Sequence, residues 1–288
     1  MIFMKVSFIG LGVMGYPIAS HLSKNGHLVK VYNRTFSRAK KWADKHKMSA
    51  ATSPAEAAKD AEIIFICINT DADIKEVVCG ENSILDSAKK GSVIVDLSTA
   101  SASLAVELAS ICQKQDVYFL DAPVSGGQQG AEEGKLAVMV GGEHSGLALA
   151  KPAIKCFAKQ IVHIGKAGSG QYAKMVNQIC IAGVLQGLAE GLNFAKEVGL
   201  DIDKLLKVIT QGAASSWQME NRGKTMNQGK FDFGFAVDLM RKDLAIALKA
   251  ANQINAELPV TALIDQFYKK LQAQNNGKLD TSSLIKLL

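Results

Sequence analysis

Over the first 165 residues or so, short β-branched and apolar runs alternate with longer stretches of helical spacing. The runs are Lys5 to Ile9, Leu28 to Tyr32, Glu62 to Ile68, Ser92 to Leu97, Val117 to Asp121 and Leu136 to Val140. Such alternation predicts βαβ units around a mostly parallel sheet. Beyond Gly165 the strand pattern stops. From Tyr172 to about Val198 the apolar positions recur at helical spacing over an unusually long stretch, and the remainder reads as all-helical. Gly199 ends the long helix as a C-cap would, and Asp201 or Asp203 suits the start of the next. Pro259 fits the first turn of a later helix, after a break around Asn255 to Leu258. The pattern therefore predicts an α/β domain over residues 1–164 and an all-α domain over 165–288. No Pro/Ser linker separates them, so the long helix itself is expected to join the two, with a cleft beside it. No repeat of solenoid period is visible.

A chain of 288 residues is long enough for two domains, each with its own core. At 48% hydrophobic and 21% charged residues, with 5 Pro and no low-complexity tract, the composition is that of a chain folded throughout. The net charge of +6 comes from dispersed Lys and Arg with no basic run interleaved with aromatics, which argues against a nucleic-acid partner. It would instead draw in small anions, such as a phosphorylated cofactor and a carboxylate substrate. Five cysteines (Cys67, Cys79, Cys112, Cys156 and Cys180) lack CxxC or Cys/His spacing, so neither a disulfide framework nor a metal site is expected. That usage fits a reducing, cytoplasmic location. Met1 to Gly15 has the look of a signal peptide, but its glycines break it and no small-residue cleavage site follows; it reads as a buried strand. No run approaches the roughly 18 uninterrupted apolar residues of a membrane helix, since Gln186 and Glu190 interrupt the stretch after Asn177.

Val6 to Ile9 leads into Gly10-Leu11-Gly12-Val13-Met14-Gly15, and a helical pattern continues from Tyr16 to Lys24. Strand, glycine turn and helix together form the setting in which G-x-G-x-x-G binds a dinucleotide. Gly10 permits the tight turn, Gly12 lets the backbone approach a pyrophosphate, and Gly15 lets helix pack on strand. The helix N-terminus offers N–H donors and a positive dipole to the phosphates. An NAD-binding domain of this type ends its second strand with Asp or Glu for the ribose 2′-hydroxyl. Here Asn33-Arg34-Thr35 stands instead. A carboxylate would repel a 2′-phosphate, whereas Arg34 can grip one bidentately, with Asn33, Thr35 and Arg38 as further donors, so NADP(H) is expected over NAD(H). Asn69 and Thr99 follow strands, at the edge where open α/β sheets bind ligands. Thr99 is a candidate for the nicotinamide end and also for the N-cap of the helix after it.

Two further segments bear on the reaction: Asp121-Ala122-Pro123-Val124-Ser125-Gly126-Gly127, and Gly168-Ser169-Gly170-Gln171-Tyr172-Ala173-Lys174-Met175-Val176-Asn177-Gln178. Together with Phe8 to Gly15 and Met240-Arg241-Lys242-Asp243-Leu244, they give the chain four motifs in an order that resembles the β-hydroxyacid dehydrogenase family. That family includes 3-hydroxyisobutyrate dehydrogenase, tartronate semialdehyde reductase and the glyoxylate/succinic semialdehyde reductases. The resemblance spans the whole length and implies a Rossmann domain followed by an all-α domain.

It also implies roles. Ser125, Gly126 and Gly127 present a hydroxyl and unobstructed backbone N–H groups, suited to a substrate carboxylate. Asp121 is expected to order that turn. Lys174 matches the family's catalytic lysine. Hydride addition to an aldehyde leaves an alkoxide that needs a positive neighbour and a proton, and a lysine whose pKa is lowered by burial supplies both. Asn177 and Gln178 follow at i+3 and i+4 on the same helix face, where Asn177 can hold the lysine or the substrate oxygen. Gln178 departs from relatives with a second Asn and is a weaker substrate candidate. His21, where relatives often have Asn, is expected to support the glycine turn. By resemblance Lys242 reaches the cofactor, with Asp243 fixing it, and Trp217 lies where relatives build the substrate wall; a core role for Trp217 stays open.

The expected activity is NADPH-preferring reduction of a small anionic semialdehyde, reversible as dehydrogenation of the β-hydroxyacid. Motifs do not separate 3-hydroxyisobutyrate from tartronate semialdehyde or glyoxylate/succinic semialdehyde as substrate, although the ending Asn276 to Ser283 tilts toward the first two. Decarboxylating 6-phosphogluconate dehydrogenase shares the motif order but is far longer. A non-catalytic NADP-binding module is disfavoured by the presence of Lys174, and an imine reductase by the Asp or Tyr that branch typically places there. The long apolar helix suggests a homodimer or homotetramer.

Overall fold

The computed structural model describes residues 3–288 and divides into two compact units, one reaching to Lys174 and one from Met175 to Leu288. In the first unit nine strands share one sheet: β1 (Lys5–Ile9), β2 (Leu28–Tyr32), β3 (Ser49–Ala50), β4 (Ile63–Ile66), β5 (Val93–Asp96), β6 (Tyr118–Asp121), β7 (Val124–Ser125), β8 (Leu136–Gly142) and β9 (Ala158–Gly165). Between them run α1 (Gly15–Lys24), α2 (Phe36–His46), α3 (Pro54–Ala58), α4 (Asp71–Cys79), α5 (Ala102–Gln113), α6 (Gly127–Glu133) and α7 (His144–Ile154).

The strand order β3-β2-β1-β4-β5-β6-β8-β7, with β9 also on β8, is parallel from β3 to β6 and turns antiparallel where β6 and β7 meet β8. Successive side chains of a strand face opposite sides, and here both sides are buried. Phe8, Phe65, Val93 and Val95 pack toward Ile18, Leu22, Trp42 and Ile154 of α1, α2 and α7. Ile9, Ile64, Ile66 and Ile94 pack toward Ala57, Ile74, Val78 and Leu108 of α3, α4 and α5. This is a doubly wound α/β domain, as the alternating pattern predicts.

Three strands escape that pattern. β3 and β7 are two residues each, too short for a periodicity to show. β9 carries polar Lys159, Gln160 and His163 among its apolar residues and is half-exposed, so it reads as surface until β8 pairs with it.

In the second unit α8 (Ser169–Glu197) continues out of the first and is followed by α9 (Ile202–Ile209), α10 (Trp217–Asn227), α11 (Val237–Ile254), α12 (Pro259–Ala273) and a 3-10 segment, Thr281–Leu287. Gly199 takes a φ of 74° behind α8, and the Asp201 carboxylate accepts the Lys204 N–H at the head of α9. Ala182, Leu185, Ala189 and Leu192 of α8, spaced three and four apart, form one buried stripe. It packs with Met240 and Leu244 of α11, Ile264, Tyr268 and Leu271 of α12 and Met219 and Met226 of α10. Among the described residues α8 is long and apolar enough by length and composition to cross a bilayer, although Gln186 and Glu190 interrupt its apolar run. In this fold it supplies the second unit's core.

Candidate active site

β2, β1 and β4 are neighbours, so the loops that leave their carboxyl ends converge around the glycine turn. Gly10 has a φ of 97°, and a Cβ there would strike the Cys67 carbonyl. A Cβ on Gly15 would run into the Gly10 carbonyl and the Phe8 ring, so α1 can lie this close to β1 only with glycine at that position. Gly12 differs: a Cβ there would meet nothing within 4 Å and would fill the open space above the turn. Val13 is exposed, Met14 half-buried, and no side chain caps the first turn of α1, which leaves the turn and helix end suited to a pyrophosphate.

Leu11 N–H donates to Asn33 Oδ1 at 3.0 Å, and Asn33 Nδ2 donates to the Thr35 carbonyl at 3.2 Å. Asn33 thus ties the end of β2 to the glycine turn. Arg34 and Thr35 beside it are exposed, as is Asn69 after β4. His21 reaches the Glu132 carbonyl at 3.0 Å, on α6.

The next loop is held from a distance. Gln171 Nε2 donates to the Ser98 carbonyl and its Oε1 accepts the Ala100 N–H, at 2.9 and 3.0 Å, which brackets half-buried Thr99. The N-cap of α5 is Ser101, which accepts the Leu104 N–H, and not Thr99.

Asp96, at the end of β5, is fully buried and accepts the Ser98 N–H at 2.9 Å. Burial pushes its carboxyl up to about 7, against the lowering effect of its hydrogen bonds to Ser98. The fold therefore favours the neutral acid. That contribution is full below the unfolded pKa near 3.8 and is lost as pH rises through the folded value near 7. Asp96→Asn keeps an acceptor for Ser98 without the charge. Relative to wild type, it should gain stability as pH rises from about 4 to 7, by up to about 1.4 kcal/mol per pH unit. Denaturant midpoints at pH 4.5 and 8 check this; an unchanged difference between the two proteins would exclude it.

Asp121, at the end of β6, anchors α8. Its Oδ1 accepts the Gly168 N–H at 2.8 Å and its Oδ2 the Gln171 N–H at 2.9 Å. The carboxylate that was expected to order its own turn instead caps a helix 47 residues further along. In the second turn of α8, the buried Lys174 places Nζ 2.9 Å from the Val124 carbonyl, to which it donates. Ser125 follows directly, half-buried, and the exposed Gly126 and Gly127 take φ of 132° and 61°. A Cβ on Gly127 would meet nothing within 4 Å, so the surface at this turn is backbone. The lysine head and the serine-glycine turn are thus brought together from segments 50 residues apart.

In the second unit Asn177 Nδ2 donates to Gln178 Oε1 at 2.8 Å, and Gln178 Nε2 donates to Asp243 Oδ2 at 2.7 Å. Asp243 Oδ1 lies 3.0 Å from Lys242 Nζ, as the sequence reading anticipates for that pair. Gln178 is buried, and its amide is committed to Asn177 and Asp243. Trp217 opens α10 behind the Ser216 cap and is exposed, so it is not a core residue; its ring lies 5.0 Å from the Arg222 guanidinium. Among the described residues no cluster of His, Cys, Asp and Glu is arranged to hold a metal.

Sequence reasoning assigned no task to Gln171, Asp96 or Ser98. The signal for Gln171 was a glutamine one turn before Lys174 in a largely apolar helix, where a buried amide must find partners.

Residues 5–165 match the NAD binding domain of 6-phosphogluconate dehydrogenase, and residues 168–288 match the NAD-binding domain of NADP-dependent 3-hydroxyisobutyrate dehydrogenase. The chain is 53% identical over 281 residues to an uncharacterised oxidoreductase of Shewanella frigidimarina, covering 98% of this chain and 97% of that one. It is 35% identical over 288 residues to the 2-hydroxy-3-oxopropionate reductase of Escherichia coli, covering 99% and 97%. Among solved structures, the 3-hydroxyisobutyrate dehydrogenase of Mycobacterium tuberculosis with L-serine is similar at a TM-score of 0.89 and 31% identity, over 99% of both chains.

Proposed function

The chain belongs to the β-hydroxyacid dehydrogenase family and is a nicotinamide-dependent hydroxyacid dehydrogenase; from that premise we propose that it interconverts a 3-hydroxyisobutyrate-like acid and its semialdehyde, with NADPH preferred over NADH. The observation that carries this reading is the Lys174 head held at the Val124 carbonyl, directly beside Ser125-Gly126-Gly127.

A carboxylate accepts from Ser125 and the backbone at Gly126 and Gly127. This seats the far end of a small substrate next to Lys174 Nζ. The bound nicotinamide cofactor supplies the hydride for reduction and takes it back in oxidation. Lys174 Nζ faces the oxygen that becomes negative, stabilises it and protonates it, so the aldehyde leaves as a primary alcohol. In the reverse direction the neutral amine accepts the hydroxyl proton. The bond to Val124 restrains the long side chain, so less of its freedom is lost when substrate arrives. By the family resemblance Asn177 supports the reacting oxygen; within the second unit it donates to Gln178, which donates to Asp243. Lys242 as a cofactor contact and Trp217 as part of the substrate wall rest on the family resemblance.

For the cofactor, Gly10, Gly12 and Gly15 with Leu11, Val13 and Met14 receive the pyrophosphate, Arg34 and Thr35 the 2′-phosphate, and Asn69 and Thr99 the remaining length. Two facts support NADPH: an arginine stands where a carboxylate would serve NADH, and the matched C-terminal family is described as NADP-dependent. The L-serine named with the Mycobacterium tuberculosis structure has a carboxylate and a β-hydroxyl, the pair of groups proposed here. The Escherichia coli relative favours a second substrate, 2-hydroxy-3-oxopropionate, which is tartronate semialdehyde.

The deciding experiment is kcat/KM for 3-hydroxyisobutyrate, its semialdehyde, tartronate semialdehyde, glyoxylate and succinic semialdehyde, each with both cofactors. A β-hydroxyacid pair with NADPH is expected to lead; turnover confined to substrates without a carboxylate, or equal kcat/KM with both cofactors, would refute the corresponding half of the reading.

A homodimer or homotetramer is also proposed. Phe194, Val198, Leu200 and Val208 of the second unit are each more than half exposed, apolar surface of the kind that a copy related by symmetry would cover. Light scattering on the size-exclusion peak is expected to return at least twice the chain mass, and a monomer at micromolar concentration would remove the proposal.

A further inference from the structure

Arg34 follows β2 and Asp73 stands in the first turn of α4 after β4, the two strands that flank β1 and its glycine turn. Their side chains form an ion pair, Arg34 Nη1 to Asp73 Oδ1, at 3.5 Å. The two partners are held very differently. The Arg34 side chain is 90% exposed, a long arm free to swing, while Asp73 is 44% exposed. Asp73 Oδ2 accepts from Thr70 Oγ1 at 2.7 Å, and its backbone N–H donates to the same oxygen at 3.1 Å. The N-terminal end of α4 further favours a negative charge there. The carboxylate is therefore a fixed feature of the helix cap, and the arginine comes to it.

We propose that Asp73 is a cofactor-specificity residue: it occupies Arg34 and sets a fixed negative charge against the 2′-phosphate that Arg34 would receive. The inference rests on the assignment of Arg34 to that phosphate. A phosphate arriving at the guanidinium must share it with, or displace, a carboxylate already there, and it does so within a few ångströms of a like charge. An unphosphorylated ribose meets no such opposition. Asp73 therefore holds the preference for NADPH below what Arg34 alone would confer, and NADH remains a usable cofactor.

The test is calorimetric binding of 2′,5′-ADP and of 5′-AMP to the full chain without substrate, alongside kcat/KM for NADPH and NADH. Asp73→Asn removes the charge and keeps an acceptor for Thr70, which remains the N-cap; Asp73→Ser is the second variant, which removes the charge with a shorter polar side chain. Both are expected to tighten 2′,5′-ADP about three- to tenfold at low salt while 5′-AMP changes less than twofold, with the gain shrinking in 0.5 M salt. The NADPH to NADH ratio of kcat/KM should rise in parallel. Equal changes for the two nucleotides, or none, overturn the inference. Arg34→Ala separates the layers: it is expected to weaken 2′,5′-ADP at least tenfold. If it does and Asp73→Asn has no effect, the role of Asp73 alone is refuted; if Arg34→Ala leaves 2′,5′-ADP unchanged, the phosphate assignment fails and the inference with it.

Discussion

Lys174→Ala is expected to lower kcat by about 10²- to 10⁴-fold, the usual contribution of a positioned general acid or base. The side chain is buried, and its Nζ is fixed at Val124, one residue from the proposed carboxylate turn. In the proposed mechanism, truncation at Cβ removes both the charge that meets the developing oxyanion and the proton that quenches it. The proposed reading assigns the substrate carboxylate and the cofactor to other residues, so KM and the NADPH dissociation constant should move far less than kcat. Lys174→Arg sharpens the reading. An arginine keeps the positive neighbour but does not give up its proton near neutral pH, so it should recover little of the lost rate and lose the pH dependence that belongs to the lysine. Steady-state rates from pH 6 to 10, with circular dichroism to verify folding, check these outcomes. A loss of less than tenfold in Lys174→Ala would remove Lys174 from the chemistry.

Asp121→Ala should strike both stability and rate. Its two carboxylate oxygens are the acceptors for the Gly168 and Gln171 N–H groups at the start of α8. A buried N–H left without a partner costs about 1–3 kcal/mol, so the pair puts the expected loss at roughly 2–6 kcal/mol. The surroundings give no room to compensate: a Cβ on Gly141 or Gly170 would run into Asp121, which marks how closely the backbones pack around the carboxylate. Burial already raises its pKa, against the pull of the backbone hydrogen bonds. Asp121→Asn retains one oxygen and brings an NH2 donor against a backbone N–H, so it should recover part of the loss and no more. Because α8 carries Lys174, kcat should fall in Asp121→Ala even at temperatures where the protein is folded. Thermal unfolding followed with kcat at low temperature tests both parts. An unchanged melting temperature would show that Gly168 and Gln171 find other acceptors.

The two expectations rest on different kinds of information. Lys174 and the glycine turn stand out along the chain because they belong to short motifs, and the conformations those motifs need are settled by neighbouring residues: a positive φ at Gly10, an open face at Gly12, close packing at Gly15. The same holds for the alternating strands and helices of the first unit and for the apolar stripe of α8, since a period of two or of 3.6 can be read from side-chain type alone. Asp121 also stood inside a motif, yet nothing near it indicated that its partners are Gly168 and Gln171. Nor did local sequence join Gln171 to Ser98, Gln178 to Asp243, or Arg34 to Asp73, or show that Ser101 and not Thr99 caps α5. The sequence by itself determined the α/β and helical halves, and it singled out the glycine turn and the residues proposed for the chemistry. Which polar groups meet was decided by the tertiary structure, because a buried donor or acceptor must be satisfied by whatever packing brings within 3 Å, however far along the chain it lies.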